Sequence, residues 1–100
     1  MTAAERLAVI GWLKKLDGEF SKRNFSMTSA GAVASRNLKV PEVIGIMAAN
    51  VGGKIYRTDL GYGVRRSALP NAALVGNKSL VLVISLREIR KGETIAVELP

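Results

Sequence analysis

Seven residues near the C-terminus, Leu80 to Leu86 (LVLVISL), include a single polar side chain and are rich in β-branched residues. A run so short and so apolar reads as the central strand of a sheet, the spine of the core, and the rest of the chain has to supply neighbours for it. After Arg87-Glu88-Ile89, the tetrad Arg90-Lys91-Gly92-Glu93 turns the chain into a last strand, where Ile95, Val97 and Leu99 alternate with Thr94, Ala96 and Glu98. A chain of 100 residues, 48% hydrophobic, fits one compact domain spanning 1–100. With only five aromatic residues, its core must be filled mainly by Leu, Ile, Val and Ala.

The N-terminal half carries helical signals. Thr2 with Glu5 matches a capping box and starts a helix at Ala3. Val9, Trp12, Leu13, Leu16 and Phe20 fall on one face of it, Lys14 and Lys15 point away, and Gly18 with the SKRN run places its end near Asp17 or Phe20. Phe25 to Met27 reads as a short strand. Thr28 or Ser29 then caps a second helix through Ala30 to Arg36. Asn37 to Val40 supplies a turn, and Pro41 followed by Glu42 opens a third helix running to Asn50. From Lys54 the pattern becomes strand-like, with KIYR and YGVRR flanking the turn Thr58 to Gly61, a hairpin with basic arms. Ser67 to Asn77 reads as a connector, and no internal repeat or linker stands out. The expected fold is therefore α+β, three N-terminal helices packed on a small, mainly antiparallel sheet.

Several chemistries are excluded by composition. Histidine and cysteine are both absent, which removes the usual general base, Ser-His and Cys-His nucleophiles and thiolate metal sites; no catalytic, cofactor or metal residue is assigned. The apolar run Leu7 to Leu13 is broken by nearby charges and fits neither a signal peptide nor a membrane span, so the expected location is the cytoplasm. Fifteen Lys and Arg against eight Asp and Glu give a formal charge of +7, which favours nucleic acid or an acidic protein as partner. The excess is densest from Lys54 to Arg66, where Lys54, Arg57, Arg65 and Arg66 face Asp59 alone.

The order helix, strand, helix, turn, helix, basic hairpin over residues 3–66 resembles the winged helix-turn-helix family of DNA-binding domains. Its most specific part is Ser35-Arg36-Asn37-Leu38-Lys39-Val40-Pro41-Glu42. The resemblance implies that Pro41 to Asn50 is the groove helix and that Lys54, Arg57, Arg65 and Arg66 form the wing. Glu42 and Asn50 are the only polar residues the helix offers, so a core or dimer-interface helix stands as the alternative. A second resemblance, over Leu60 to Leu99, is to the C-terminal part of SET-domain methyltransferases: Leu60-Gly61-Tyr62-Gly63, then SALPNA at Ser67 to Ala72, then LREIRKGETI at Leu86 to Ile95. The family's Asn-His pair falls on Arg65 and Arg66, and its terminal Tyr near Glu98 and Leu99, so no methyltransferase activity is implied. SAF-type domains share the Lys-Gly-Glu hairpin.

The expected function is a small basic nucleic-acid-binding protein, a transcriptional regulator in its fullest form, with DNA ahead of RNA. It would contact phosphates through Lys54, Arg57, Arg65 and Arg66, with Tyr56 and Tyr62 as stacking platforms and Arg36, Lys39 and Asn50 as further contacts. The alternative is a protein-interaction module or inhibitor docking on an acidic partner; a third reading is an inactive SET-like remnant. A homodimer through the Val43 to Ala49 segment or the terminal strand is a further expectation.

Overall fold

The computed structural model describes all residues, 1–100, and has one long helix followed by strands. Helix α1 (Ala3–Asn24) starts with the capping box expected of it: Thr2 Oγ1 accepts the Glu5 N–H at 3.1 Å and Glu5 Oε1 accepts the Thr2 N–H at 2.9 Å. It runs beyond Phe20 to Asn24, with Lys22 and Arg23 in the last turn, where cations suit the helix dipole. Strands β1 (Phe25–Thr28) and β2 (Gly31–Ala34) form a hairpin. Strand β3 (Val43–Val51) leads into β4 (Lys54–Arg57), and a five-residue helix α2 (Asp59–Gly63) precedes β5 (Arg65–Ser67). Strands β6 (Ala72–Gly76), β7 (Leu80–Ser85) and β8 (Ala96–Glu98) complete the chain.

Four strands form the main sheet in the order β4-β3-β7-β6, every neighbour antiparallel, with β7 inside it as its composition requires. Leu13 of α1, flanked by Val9, Leu16 and Phe20, packs on Ile46, Ala49 and Val51 of β3. The larger core centres on Phe25, Leu38, Ile44, Leu60, Ile89 and Ile95, all fully buried, each burial giving about 1.5–3 kcal/mol of transfer free energy. Trp12 is not part of this face and is 61% exposed.

The three-helix, winged-helix-like arrangement does not occur. Residues Ala30 to Arg36 turn and pair as a strand, because Gly31 (φ +107°) closes a tight hairpin and β2 lies beside β1. Pro41 to Asn50 is not a helix: β3 is buried along nearly its whole length between α1 and the core, so its pattern has no empty face to report a period of two. Ile44 to Met47 are buried within the monomer, which removes that segment as a dimer surface. The basic hairpin is likewise absent. β4 pairs with β3, whereas β5 pairs in parallel with β8, and Thr58 to Gly61 begins α2 instead of turning a hairpin. The connector holds a strand, β6, paired with β7.

An internal repeat emerges that sequence inspection passes over. Arg36, Leu38, Lys39, Glu42 and Ile44 correspond to Arg87, Ile89, Arg90, Glu93 and Ile95 at a constant offset of 51 residues. The copies share their glutamate contacts although the turns differ, with a cis Val40–Pro41 peptide in the first and Gly92 at φ +93° in the second. Glu42 accepts the Lys39 N–H at 2.9 Å and pairs with Arg36; Glu93 accepts the Arg90 N–H at 3.0 Å and pairs with Arg87 at 3.3 Å. The copies join through reciprocal hydrogen bonds, Leu38 N–H to the Ile89 carbonyl at 2.7 Å and Ile89 N–H to the Leu38 carbonyl at 3.0 Å. Ala34 N–H to the Glu93 carbonyl and Ser85 N–H to the Glu42 carbonyl repeat the relation one shell outward.

The two ends of the chain's second half interlock. Asn71, 3% exposed, donates from Nδ2 to the Thr94 carbonyl and accepts the Ala96 N–H at Oδ1, each at 2.9 Å, beside the β5–β8 pair. No helix is long and apolar enough to cross a membrane.

Candidate functional site

Thr58 builds the most exposed part of the site. Fully buried, it caps α2 by accepting the Gly61 N–H at 3.0 Å while its hydroxyl donates to the Ile46 carbonyl of β3. Gly61 lies so close to β3 that a Cβ there would overlap the Met47 carbonyl oxygen and the Arg57 side chain. Pinned in this way, α2 presents Tyr62 to solvent, 70% exposed, with the Arg57 guanidinium 5.4 Å from its ring centroid.

Arg65 follows directly. Its Nε donates to the Ala30 carbonyl at 2.9 Å, tying β5 to the β1–β2 turn. Arg66 donates one N–H to the Glu98 carbonyl at 3.0 Å. A guanidinium carries five N–H groups, so both side chains are anchored and still keep donors for an anion. Anchoring lowers the entropy lost on binding.

Successive residues of β5 point to opposite sides, so Arg65 reaches the β1–β2 turn while Arg66 lies beside Pro70 and Leu99, and the remaining expected contacts are spread over other elements. Lys54 is exposed at the start of β4, next to the β3–β4 turn that Asn50 stabilises by accepting the Gly53 N–H at 2.9 Å. Tyr56 is half-buried and packs toward Leu13 and Ile46, so its ring is no platform for a base. Burial is the first cause that pushes its hydroxyl pKa up, followed by the charges of Asp17, Asp59 and Tyr62. Arg36 and Lys39 belong to the first copy of the repeat. There Arg36 pairs with Glu42 and donates to Asn24 Oδ1 at 2.8 Å, a structural engagement. Hydrogen bonding to Arg36 holds the Glu42 carboxyl below its ordinary value.

Missed by the sequence reading is a pair of carboxylates. Asp17, 6% exposed, accepts the Asp59 N–H at Oδ2 (3.1 Å), and its Oδ1 is the only buried side-chain polar atom in the protein with no hydrogen-bond partner. Burial, ahead of the neighbouring Asp59 charge, pushes the Asp17 carboxyl up. The available signal was its position: Asp17 lies four residues after Leu13 and three before Phe20, on the apolar face of α1. No group of three or more His, Cys, Asp or Glu residues comes together.

Comparison of the chain with protein-family models and with curated protein sequences gives no match.

Proposed function

We propose that the protein binds nucleic acid through its backbone phosphates, with Arg57, Arg65 and Arg66 as cations and Tyr62 as a stacking platform. The observation that carries this reading is the exposed Tyr62 ring with the Arg57 guanidinium at 5.4 Å, on a helix held rigid by a buried cap. Exposed aromatic rings flanked by arginine suit unpaired bases and are indifferent to their sequence. The net charge of +7 adds long-range attraction for a polyanion. Groove reading forms no part of the proposal, because residues 43–51 are a buried strand. DNA stands ahead of RNA as the partner, and a cytoplasmic location goes with this reading.

The test is an anisotropy titration of a labelled single-stranded oligonucleotide across a salt series. Each phosphate contact adds about −0.7 to the slope of log K against log salt, so removing three cations flattens it by about 2. Absence of binding at low salt refutes the proposal.

A second reading, a catalytically silent SET-like fold, is favoured by the interlock. The segments that carry the resemblance meet: Leu86 N–H donates to the Asn71 carbonyl, and Asn71 clasps Thr94 and Ala96. Calorimetry with S-adenosylmethionine is expected to give no heat of binding; saturable binding would overturn the silence.

A further inference from the structure

The two edges of the main sheet are protected differently. β4 carries Lys54 and Arg57, charges of the kind that keep an exposed strand from pairing with another chain. β6 at the opposite edge, and β7 beside it, hold no charged residue and no proline, in a chain where 23% of residues are charged. The face beside that edge is apolar as well. Directly opposed residues of neighbouring strands share a face, so Leu80 and Leu82 stand on the α1 side with their partners Ala49 and Ile46, and Val75 joins them opposite Leu82. Helix α1 packs on β3 and covers only part of this face. Its Lys14 and Asp17 turn toward β4 and α2, so the opposite flank, with Trp12 and Leu16, leans toward β7 and leaves β6 uncovered. Leu80 and Val75 are consequently 37% and 47% exposed. Leu86, 51% exposed, extends the strip past Ala73 of β6, and the exposed Trp12 ring borders it.

The backbone of this edge is complementary to itself. The Asn77 N–H bonds the Leu80 carbonyl and the Leu86 N–H bonds the Asn71 carbonyl, which puts Ala73 and Val75 in the hydrogen-bonded pairs of β6 with β7 and aims the N–H and C=O of Leu74 outward. A two-fold axis at Leu74 sets each copy's donor opposite the other's acceptor. A strip without charge attracts neither an acidic nor a basic partner, and its complement is a second strip like itself. Its size suits that role. A biological interface needs about 1,000 Å² in total, or about 500 Å² from each copy, under a tenth of this chain's 6140 Å². Trp12 supplies about 100–150 Å² of that, and Val75, Leu80 and Leu86 with the β6 backbone supply the rest. We infer that β6 and the adjoining α1-side face bind a second copy of this chain, the two β6 strands running antiparallel in a closed two-fold dimer. Closure leaves neither copy's β6 open to further pairing, while β4, with Lys54 and Arg57, stays at the outer ends of the joined sheet, where like charges are far apart.

The test is sedimentation velocity of the whole chain over a concentration series, with urea midpoints confirming that each variant folds. The expected result is a monomer–dimer equilibrium with a limiting mass twice 10.7 kDa. Val75→Lys weakens it by about tenfold or more. Leu86→Lys does the same from outside any strand, and so carries the comparison even where Val75→Lys perturbs β6. Ile55→Lys, at an exposed apolar residue on the β4 edge, leaves the dimer unchanged. Mixing Val75→Lys with Val75→Glu restores association, which a merely damaged strand would not do. A monomer at every concentration, open-ended assembly in place of a dimer, dimerisation that survives in both folded lysine variants of the strip, or an equal loss in Ile55→Lys would each overturn the inference.

Discussion

Replacing Asn71 by Ala removes one amide that serves two strands. The Thr94 carbonyl loses its only side-chain donor and the Ala96 N–H its acceptor, both at 2.9 Å, in a region where Asn71 is 3% exposed. Each buried backbone group left unpaired costs about 1–3 kcal/mol. Thr94 and Ala96 are half-buried, so water recovers part of this and the sum falls near 3 kcal/mol. Against a total stability of about 5–15 kcal/mol, that is a large share. Urea denaturation followed by circular dichroism measures it as a lower midpoint with an unchanged slope. Asn71→Asp keeps an acceptor for Ala96 N–H but aims a carboxylate at the Thr94 carbonyl, so it should be no better tolerated. A loss under about 1 kcal/mol in Asn71→Ala would show that the interlock is held by something other than this side chain.

Asp17 gives a prediction of opposite sign. Its carboxyl is pushed up in the folded chain, so ionisation opposes folding; the opposition is absent below the unfolded value near ~4 and complete above the raised folded one. Asp17→Asn is therefore expected to be more stable than the parent at neutral pH, with the gain vanishing in acid, read from urea midpoints across pH. Glu42 and Glu93 behave conversely, their carboxyls lowered chiefly by the Arg36 hydrogen bond and by the Arg90 N–H. Their stabilisation is present above the unfolded carboxylate value and lost as pH falls through the lowered one. Glu42→Gln and Glu93→Gln should each cost about 0.2–1 kcal/mol at neutral pH and nothing in acid, measured the same way. Gly61→Ala forces α2 away from the Met47 carbonyl and should lower stability by about 1–3 kcal/mol in thermal melts.

What could be read in the sequence was local. The α1 capping box, the Phe25 strand and the central strand at Leu80 depend on nearby residues alone; of the expected last strand only Ala96–Glu98 forms, with Ile95 and Val97 buried and Leu99 exposed. Residues 43–51 were illegible because a strand covered on both faces looks like a buried helix, and Pro41-Glu42 with Gly45, Ala48 and Ala49 imitated a helix start and a close helix contact. The pairing of β5 with β8 and the Asn71 clasp join residues far apart in the chain, where periodicity carries no information. The repeat was hidden by conservative exchange, Leu38 with Ile89 and Lys39 with Arg90, and showed itself once both glutamates were seen in equivalent bonds. Of the nominated cations, Arg57, Arg65 and Arg66 keep donors free, but Arg36 is engaged by Glu42, which sequence spacing alone gave no means of telling apart.

The most direct measurement is the salt dependence of single-stranded DNA binding for the parent chain, for Tyr62→Ala, and for the Arg57, Arg65, Arg66 triple-alanine variant. The account predicts a steep slope in the parent. It predicts a loss of about 1–3 kcal/mol of affinity in Tyr62→Ala with the slope kept, since stacking releases no counterions, and a flattened slope in the triple variant. Parent-like binding and slope in both variants, or no binding by the parent at low salt, would contradict it.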